Sequence, residues 1–207
     1  MKTSKYVKLA KRCGHCIVIN TETSGTLLGI DTAFYRNEEL PEMHGSDQIR
    51  AVLDIEPKQA KKIVFMERAA EGIDDVYGWD LSDGFDKTLQ AQILQVPVSF
   101  KGSYLKALEA EDGELLFYDE DLLSPMNDRI KASDYINLAV RQTEKGQRYI
   151  VLMDGFEVLA AILPMQVATE EYLKALYAFA NKVKQQNERQ RERDMQAEND
   201  TEAAGQD

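Results

Sequence analysis

RYIVLMDGFEVLAAILPM, residues 148–165, holds two apolar runs joined by Asp154-Gly155. Asp-Gly between β-prone runs signals a hairpin, because both central residues of a type I′ turn need positive φ. Ile150, Leu152, Val158 and Ile162 alternate with their neighbours, yet both faces of the pair are largely apolar. That pattern predicts an inner hairpin covered on both sides, with the core built on it. Upstream, YINLAVRQT (135–143) alternates cleanly, with Ile136, Leu138 and Val140 on one face. Residues 135–163 therefore read as a three-strand meander that Pro164 ends.

Working outward toward the C-terminus, Thr169 reads as the cap of a last helix, with Glu170 and Glu171 in its first turn. Leu173, Leu176, Tyr177, Ala180 and Val183 form its apolar stripe, suited to lie against the sheet. Residues 185–207 are almost wholly polar and read as a largely disordered tail.

Working back, ILQVPVSF (93–100) reads as a strand in which Pro97 marks an edge or a bulge. GSYLKAL (102–108) reads as a short helix with Leu105 and Leu108 inward. Asp112-Gly113 turns the chain, ELLFYD (114–119) is a strand, and Ser124–Asp128 is a loop around Pro125. Nearer the start, Ile17-Val18-Ile19 and Thr26–Ile30 form a hairpin over Thr23-Ser24-Gly25. Residues 31–45 look irregular, punctuated by Pro41 and Gly45. The expected class is α+β: a mostly antiparallel sheet with a C-terminal meander and a packed C-terminal helix. The expected organisation is an N-terminal hairpin and helix-pair region (1–92), a sheet and helix domain (93–184) and the tail (185–207).

The chain of 207 residues is 43% hydrophobic, enough for a substantial core, and carries a net charge of −11. That balance argues against a protein that coats nucleic acid generally. No apolar run reaches the roughly 18 residues that span a membrane. The basic N-terminus lacks a following apolar segment, so no signal peptide is expected and a soluble, cytoplasmic protein is the default. Residues 71–121 hold 13 acidic and 3 basic side chains, nearly all of the excess. This acidic surface, with Asp74, Asp75, Trp79, Asp80, Asp83, Asp86, Glu111 and Asp112 as candidate contacts, suits a basic protein partner, including one that normally holds nucleic acid. Trp79, the sole tryptophan, either pins the acidic loop to the core or anchors the partner.

Two other sites are legible. SDQIRAVLDIEPKQAKKIVF (46–65) reads as two helices, the first capped by Ser46 and the second, Pro57–Lys62, opened by Pro57. The pair resembles a helix-turn-helix. With Lys58, Lys61 and Lys62 on the second helix and Lys8, Lys11 and Arg12 on a short strand or basic arm at 2–12, it is a candidate DNA reader. Cys13 and Cys16 are structural thiols, half of a zinc site with His44 as third ligand, or a redox pair. Cys13-Gly14-His15-Cys16 resembles the redox motif of protein disulfide isomerases. In those enzymes a helix follows the motif and lowers the thiol pKa; here a strand follows.

Val98–Tyr118 with Arg148–Val167 resembles a domain of the bacterial-type DNA sliding clamp. Tyr104, Leu105 and Leu108 match that family's Y-L-x-x-L helix, and Leu163-Pro164-Met165 matches its terminal M-P-M with Leu for Met. The resemblance implies a strand, short helix, strand and meander, and a clamp-like accessory role. The layout as a whole, including an A-x-Y strand at Ala33 and Tyr35, is similar to uncharacterised proteins of gut phages and mobile elements. The sequence lacks a nucleophile elbow, a P-loop, a dinucleotide-binding glycine pattern and H-E-x-x-H. The leading expectation is a non-catalytic, cofactor-free binding protein of a phage or mobile element. It would act on a DNA-handling machine as a clamp-like factor or nucleic-acid mimic.

Overall fold

The computed structural model describes residues 1–22, 25–71, 76–84, 86–100 and 102–167. The chain opens with α1 (Thr3–Cys13), then β1 (His15–Thr21), β2 (Gly25–Ile30) and β3 (Ala33–Asn37). Two short helices follow, α2 (Gly45–Val52) and α3 (Pro57–Ala60), then β4 (Val64–Ala70). Next come β5 (Leu89–Phe100), β6 (Ser103–Ala110) and β7 (Leu115–Asp119). A 3₁₀ helix, Glu120–Met126, runs into α4 (Asn127–Ala132), and the meander β8 (Ile136–Gln142), β9 (Arg148–Asp154) and β10 (Glu157–Ile162) closes the sheet.

The fold is α+β. Among the described residues ten strands lie in the order β4-β1-β2-β3-β10-β9-β8-β5-β6-β7, and every pair of them is antiparallel except β1 with β4. The hairpin β9–β10 sits in the middle, as its two-sided apolar sequence requires. Ile150, Leu152 and Ile162 enter one core; Tyr149, Val151 and Ala161 enter the other. Each is at most 1% exposed, and full burial of a large aliphatic side chain is worth about 1.5–3 kcal/mol. Val158 departs from the expected alternation and faces the second core, because the β9–β10 register shifts between Val158 and Ala160. The turn differs too. Asp154 pairs with Glu157, so the central residues are Gly155 and Phe156. Of these Gly155 alone has positive φ (59°), the pattern of a II′ turn with glycine first.

The sheet wraps around α1. Arg12 reaches Asp119 at the end of β7 and Asp121 beyond it (3.0 and 2.8 Å), although α1 also packs on β1 and β2. One continuous core therefore joins Tyr6 and Leu9 to Val18 and Leu28 on one side and to Leu108 and Tyr118 on the other. Tyr6 is fully buried, and its hydroxyl donates to Gly29 O at 2.6 Å. After β10, Leu163 N donates to Thr32 O and Met165 N to Phe117 O.

Several local expectations are corrected. Residues 2–12 form neither strand nor arm: Tyr6, Leu9, Ala10 and Cys13 recur three and four apart, and the helix α1 buries that face and exposes Lys5, Lys8 and Lys11. Residues 31–45 contain β3. In the stretch 102–108, the helix of the clamp resemblance, Gly102 is a turn residue and residues 103–108 belong to the strand β6. Leu105 and Leu108 are both buried, but only Leu108 joins the core around α1. They point to opposite sides of a sheet covered on both, which mimics helical spacing. Ser124–Asp128 is helical; the Asp119 carboxylate accepts from Asp121 N and starts the 3₁₀ turn.

The second helix of the 46–63 pair shrinks to the single turn of α3. Pro57 does open it, within a Glu56–Gln59 capping box. A boundary between residues 92 and 93 falls inside β5, and Met1–Met165 is one compact unit. The register shift between Leu94 and Val98 spans Pro97. The helix capped by Thr169 and the tail 185–207 lie outside the described residues.

Candidate functional site

The acidic loop is held down from within. Trp79 is 6% exposed and stacks on Tyr149 at 5.2 Å with 5° between the rings, and edge-on to Phe34. It pins the loop and is not presented as a partner anchor. Arg141, 3% exposed, donates to the carbonyls of Asp80, Ser82 and Gly84 at 2.7–2.8 Å and to Thr88 Oγ1 at 3.0 Å. Burial works against the Asp80 charge, but hydrogen bonds from Ser82 and the nearby Arg141 and Lys87 hold its pKa below the ordinary value. Asp83 Oδ1 accepts from Arg36 (2.7 Å) and from Val158 N (2.9 Å).

These two aspartates, expected as surface contacts, tie the loop to the sheet. Asp112 is bound by Arg148, which also holds Glu114 and keeps the Asp112 pKa low. Asp86 and Glu111 are exposed. Asp74 and Asp75 lie outside the described residues. Three of the expected acidic contacts, Asp80, Asp83 and Asp112, are thus held by arginines distant in sequence, a pairing that spacing does not reveal.

The remaining acidic concentration lies beside β4. A recess of about 300 Å³ is lined by Glu22, Glu42, Glu67 and Glu71, with His44 and Asn20. Asn20 is buried and clasps the backbone of Met43 through both N and O (2.9 and 3.1 Å), fixing the loop before α2. Helix α2 starts after His44, not Ser46, and its cap comes from across the fold. Glu67 Oε2 accepts from Gly45 N and Oε1 bonds His44 Nδ1, both at 2.7 Å.

The Glu67 hydrogen bond raises the His44 pKa, while Gly45 N–H and His44 lower that of Glu67. The His44 contribution is therefore full below the ordinary imidazole value and is lost as pH rises through the raised one. The Glu67 contribution is present above the ordinary carboxylate value and is lost as pH falls through the lowered one. Glu67→Gln is expected to return the His44 titration, followed by NMR of its ring protons, toward the ordinary value. An unchanged midpoint would mean that the pair does not form in solution.

On the other face of β4 a second recess, about 290 Å³, is lined by Ile19, Arg68, Val76, Tyr77 and Gly78. Tyr77 holds a left-handed backbone (φ 57°), stacks on Phe34 and lies under the Arg68 guanidinium at 4.5 Å. Ala69 and Ala70 line both recesses. Sequence reading missed this site, whose residues come from β1, β4 and three separate loops.

The thiols and lysines are placed differently. Cys13 ends α1, and Cys16 lies in β1 at 0% exposure beneath the Tyr6 hydroxyl (3.4 Å). A helix precedes the pair and a strand follows it, the reverse of the disulfide-isomerase order. Burial pushes the Cys16 thiol up to about 11 and raises Cys13 as well, so neither is poised as a thiolate. His44 is engaged by Glu67, and among the described residues no three His, Cys, Asp or Glu side chains stand together as a metal site. His15 pairs with Asp31 at 2.6 Å. Lys8, Lys11, Lys58, Lys61 and Lys62 are exposed, while Arg12 is occupied by Asp119 and Asp121. No helix among the described residues is long and apolar enough to cross a membrane. No family model, curated protein or solved structure matches the chain.

Proposed function

We propose that this chain is a non-catalytic binding protein that engages a basic partner through the acidic rim of β4. The observation that carries the reading is the grouping of Glu22, Glu42, Glu67 and Glu71 around one recess, while arginines distant in sequence hold Asp80, Asp83, Asp112 and Asp119. Among these four, Glu22 and Glu71 make no ion pair with the described residues. A protein that ordinarily holds nucleic acid is the partner class such a rim fits, and a DNA-handling machine targeted by a phage or mobile element is the setting we favour. Burial raises the pKa of both thiols, which supports a role without thiolate chemistry.

The test uses the intact chain as bait in a host lysate, with and without nuclease, beside a Glu22→Gln/Glu71→Gln variant. A basic protein retained after nuclease and lost with the double variant is the expected result. Recovery of duplex DNA alone, weakened by Lys58→Ala/Lys61→Ala/Lys62→Ala, would overturn it in favour of a DNA-binding regulator.

A further inference from the structure

β4 ends the sheet, and among the described residues no strand pairs with its outer side. Val64 N donates inward to Gly14 O (2.8 Å), and Ala70 O accepts from Glu22 N on the β1 side (3.3 Å). Backbone groups alternate in direction along a strand, so the even-numbered residues of β4 pair toward β1 and Phe65, Glu67 and Ala69 turn theirs outward. Val64 is 56% exposed, and Glu67, Arg68 and Ala69 are exposed. At the opposite end of the sheet, the β7 carbonyl of Phe117 already accepts from Met165 N (2.7 Å).

The two recesses flank this open edge on opposite faces. Glu67 stands opposite Val18, whose side chain enters the core around α1; Arg68 stands opposite Ile19, which enters the core around Trp79. One recess is acidic. The other offers the Tyr77 ring and Val76. They meet at Ala69-Ala70, where the edge carries no long side chain. Exposed edges are ordinarily guarded by charges, and β4 has that guard at Glu67 and Arg68 but not at the point where the recesses converge.

The geometry points to β4 as a docking edge for an extended peptide that adds a strand to the sheet. Its alternate residues project to opposite faces. Basic side chains enter the recess of Glu22, Glu42, Glu67 and Glu71, and the intervening apolar ones pack on Tyr77 and Val76. The expected ligand is thus an extended segment alternating Lys or Arg with apolar residues. The inference rests on the proposed reading for the charge of the partner and on the sheet edge for the mode of binding.

The probe is a fluorescein-labelled decapeptide of alternating Lys and Val, read by anisotropy against the full chain. Alternating Glu-Val and Thr-Val peptides serve as comparisons. Ala69→Pro removes an outward N–H and spares the pairing with β1, as proline does on edge strands. It is expected to weaken Lys-Val binding about tenfold or more, the scale of a lost backbone hydrogen bond together with the ring's obstruction. Trp79 emission checks that the variant is folded. A second arm leaves the protein untouched: N-methylating every Lys residue or every Val residue of the peptide should abolish binding for one set only, the set whose N–H groups face β4.

Tolerance of both N-methylated sets, or full binding by folded Ala69→Pro, overturns the edge while leaving an acidic contact in place. Edge-dependent binding with no preference for Lys-Val over Thr-Val sustains the edge and overturns the basic partner. Self-association abolished by Ala69→Pro would assign the edge to a second copy of the chain and overturn the peptide.

Discussion

Arg141→Met is expected to cost about 3–5 kcal/mol in a urea melt, the range for losing one partner of a buried, hydrogen-bonded charge. The Arg141 guanidinium is the common partner of the Asp80, Ser82 and Gly84 carbonyls and of Thr88 Oγ1. Methionine fills similar space but donates nothing, so these acceptors lose their partner and Asp80 keeps a charge with less to balance it. Trp79 gives a local readout. Its ring is clamped between loop and sheet, beside a Tyr149 hydroxyl that donates to Asp80 O and accepts from Asp80 N. The variant should show red-shifted emission before the main transition, because the loop releases first. Unchanged stability and emission would mean that the loop stays seated without the arginine.

Gly29→Ala is the second large effect. Gly29 has ordinary φ, so its glycine is required for room rather than for backbone freedom. A Cβ there would lie 2.6 Å from Phe34 Cδ1, meet Phe34 Cε1 as well, and lie 3.3 Å from Ile17 Cβ. The Phe34 ring is 4% exposed and held by Tyr77 stacked on it and Trp79 edge-on. It has little space into which to retreat. Overpacking of this kind costs about 1–3 kcal/mol, and the upper end is expected because one added methyl group displaces three rings. A thermal melt followed at Trp79 checks it. A variant as stable as the parent would show that the aromatic cluster is looser than its geometry.

The parts of the fold that were legible are those where local pattern and tertiary burial agree. The 135–163 meander reads correctly because β9 and β10 are apolar on both faces, β8 alternates cleanly and the glycine turn is short. The β1–β2 hairpin reads correctly for the same reason. Patterns fail where they have two physical causes. Leu105 and Leu108, three apart, suggest a helix face, yet a strand covered on both sides also buries them. Lysines interleaved with Tyr6, Leu9 and Ala10 look like a solvated arm until a sheet is present to receive the helix. The site was less legible than the fold. Asp80 and Asp83 carry surface-like sequence surroundings, and only the folded chain brings Arg141, Arg36 and Val158 N to them. Glu67 has no local sign of capping a helix whose first turn lies more than twenty residues earlier.

The pairing of Tyr35 with Ala160 in the middle of the sheet sets the timing of synthesis. As the chain leaves the ribosome, the strands through β3 can form a meander early, but the outer edge of β3 has no mate until β10 emerges about 120 residues later. During that interval a nearly finished, largely apolar half-sheet is exposed in the cell. Loop closure over so long a separation makes its completion slow even after release. Yield in vivo should therefore depend on the speed of elongation and on chaperones that shield strand edges, more than on the stability of the finished protein.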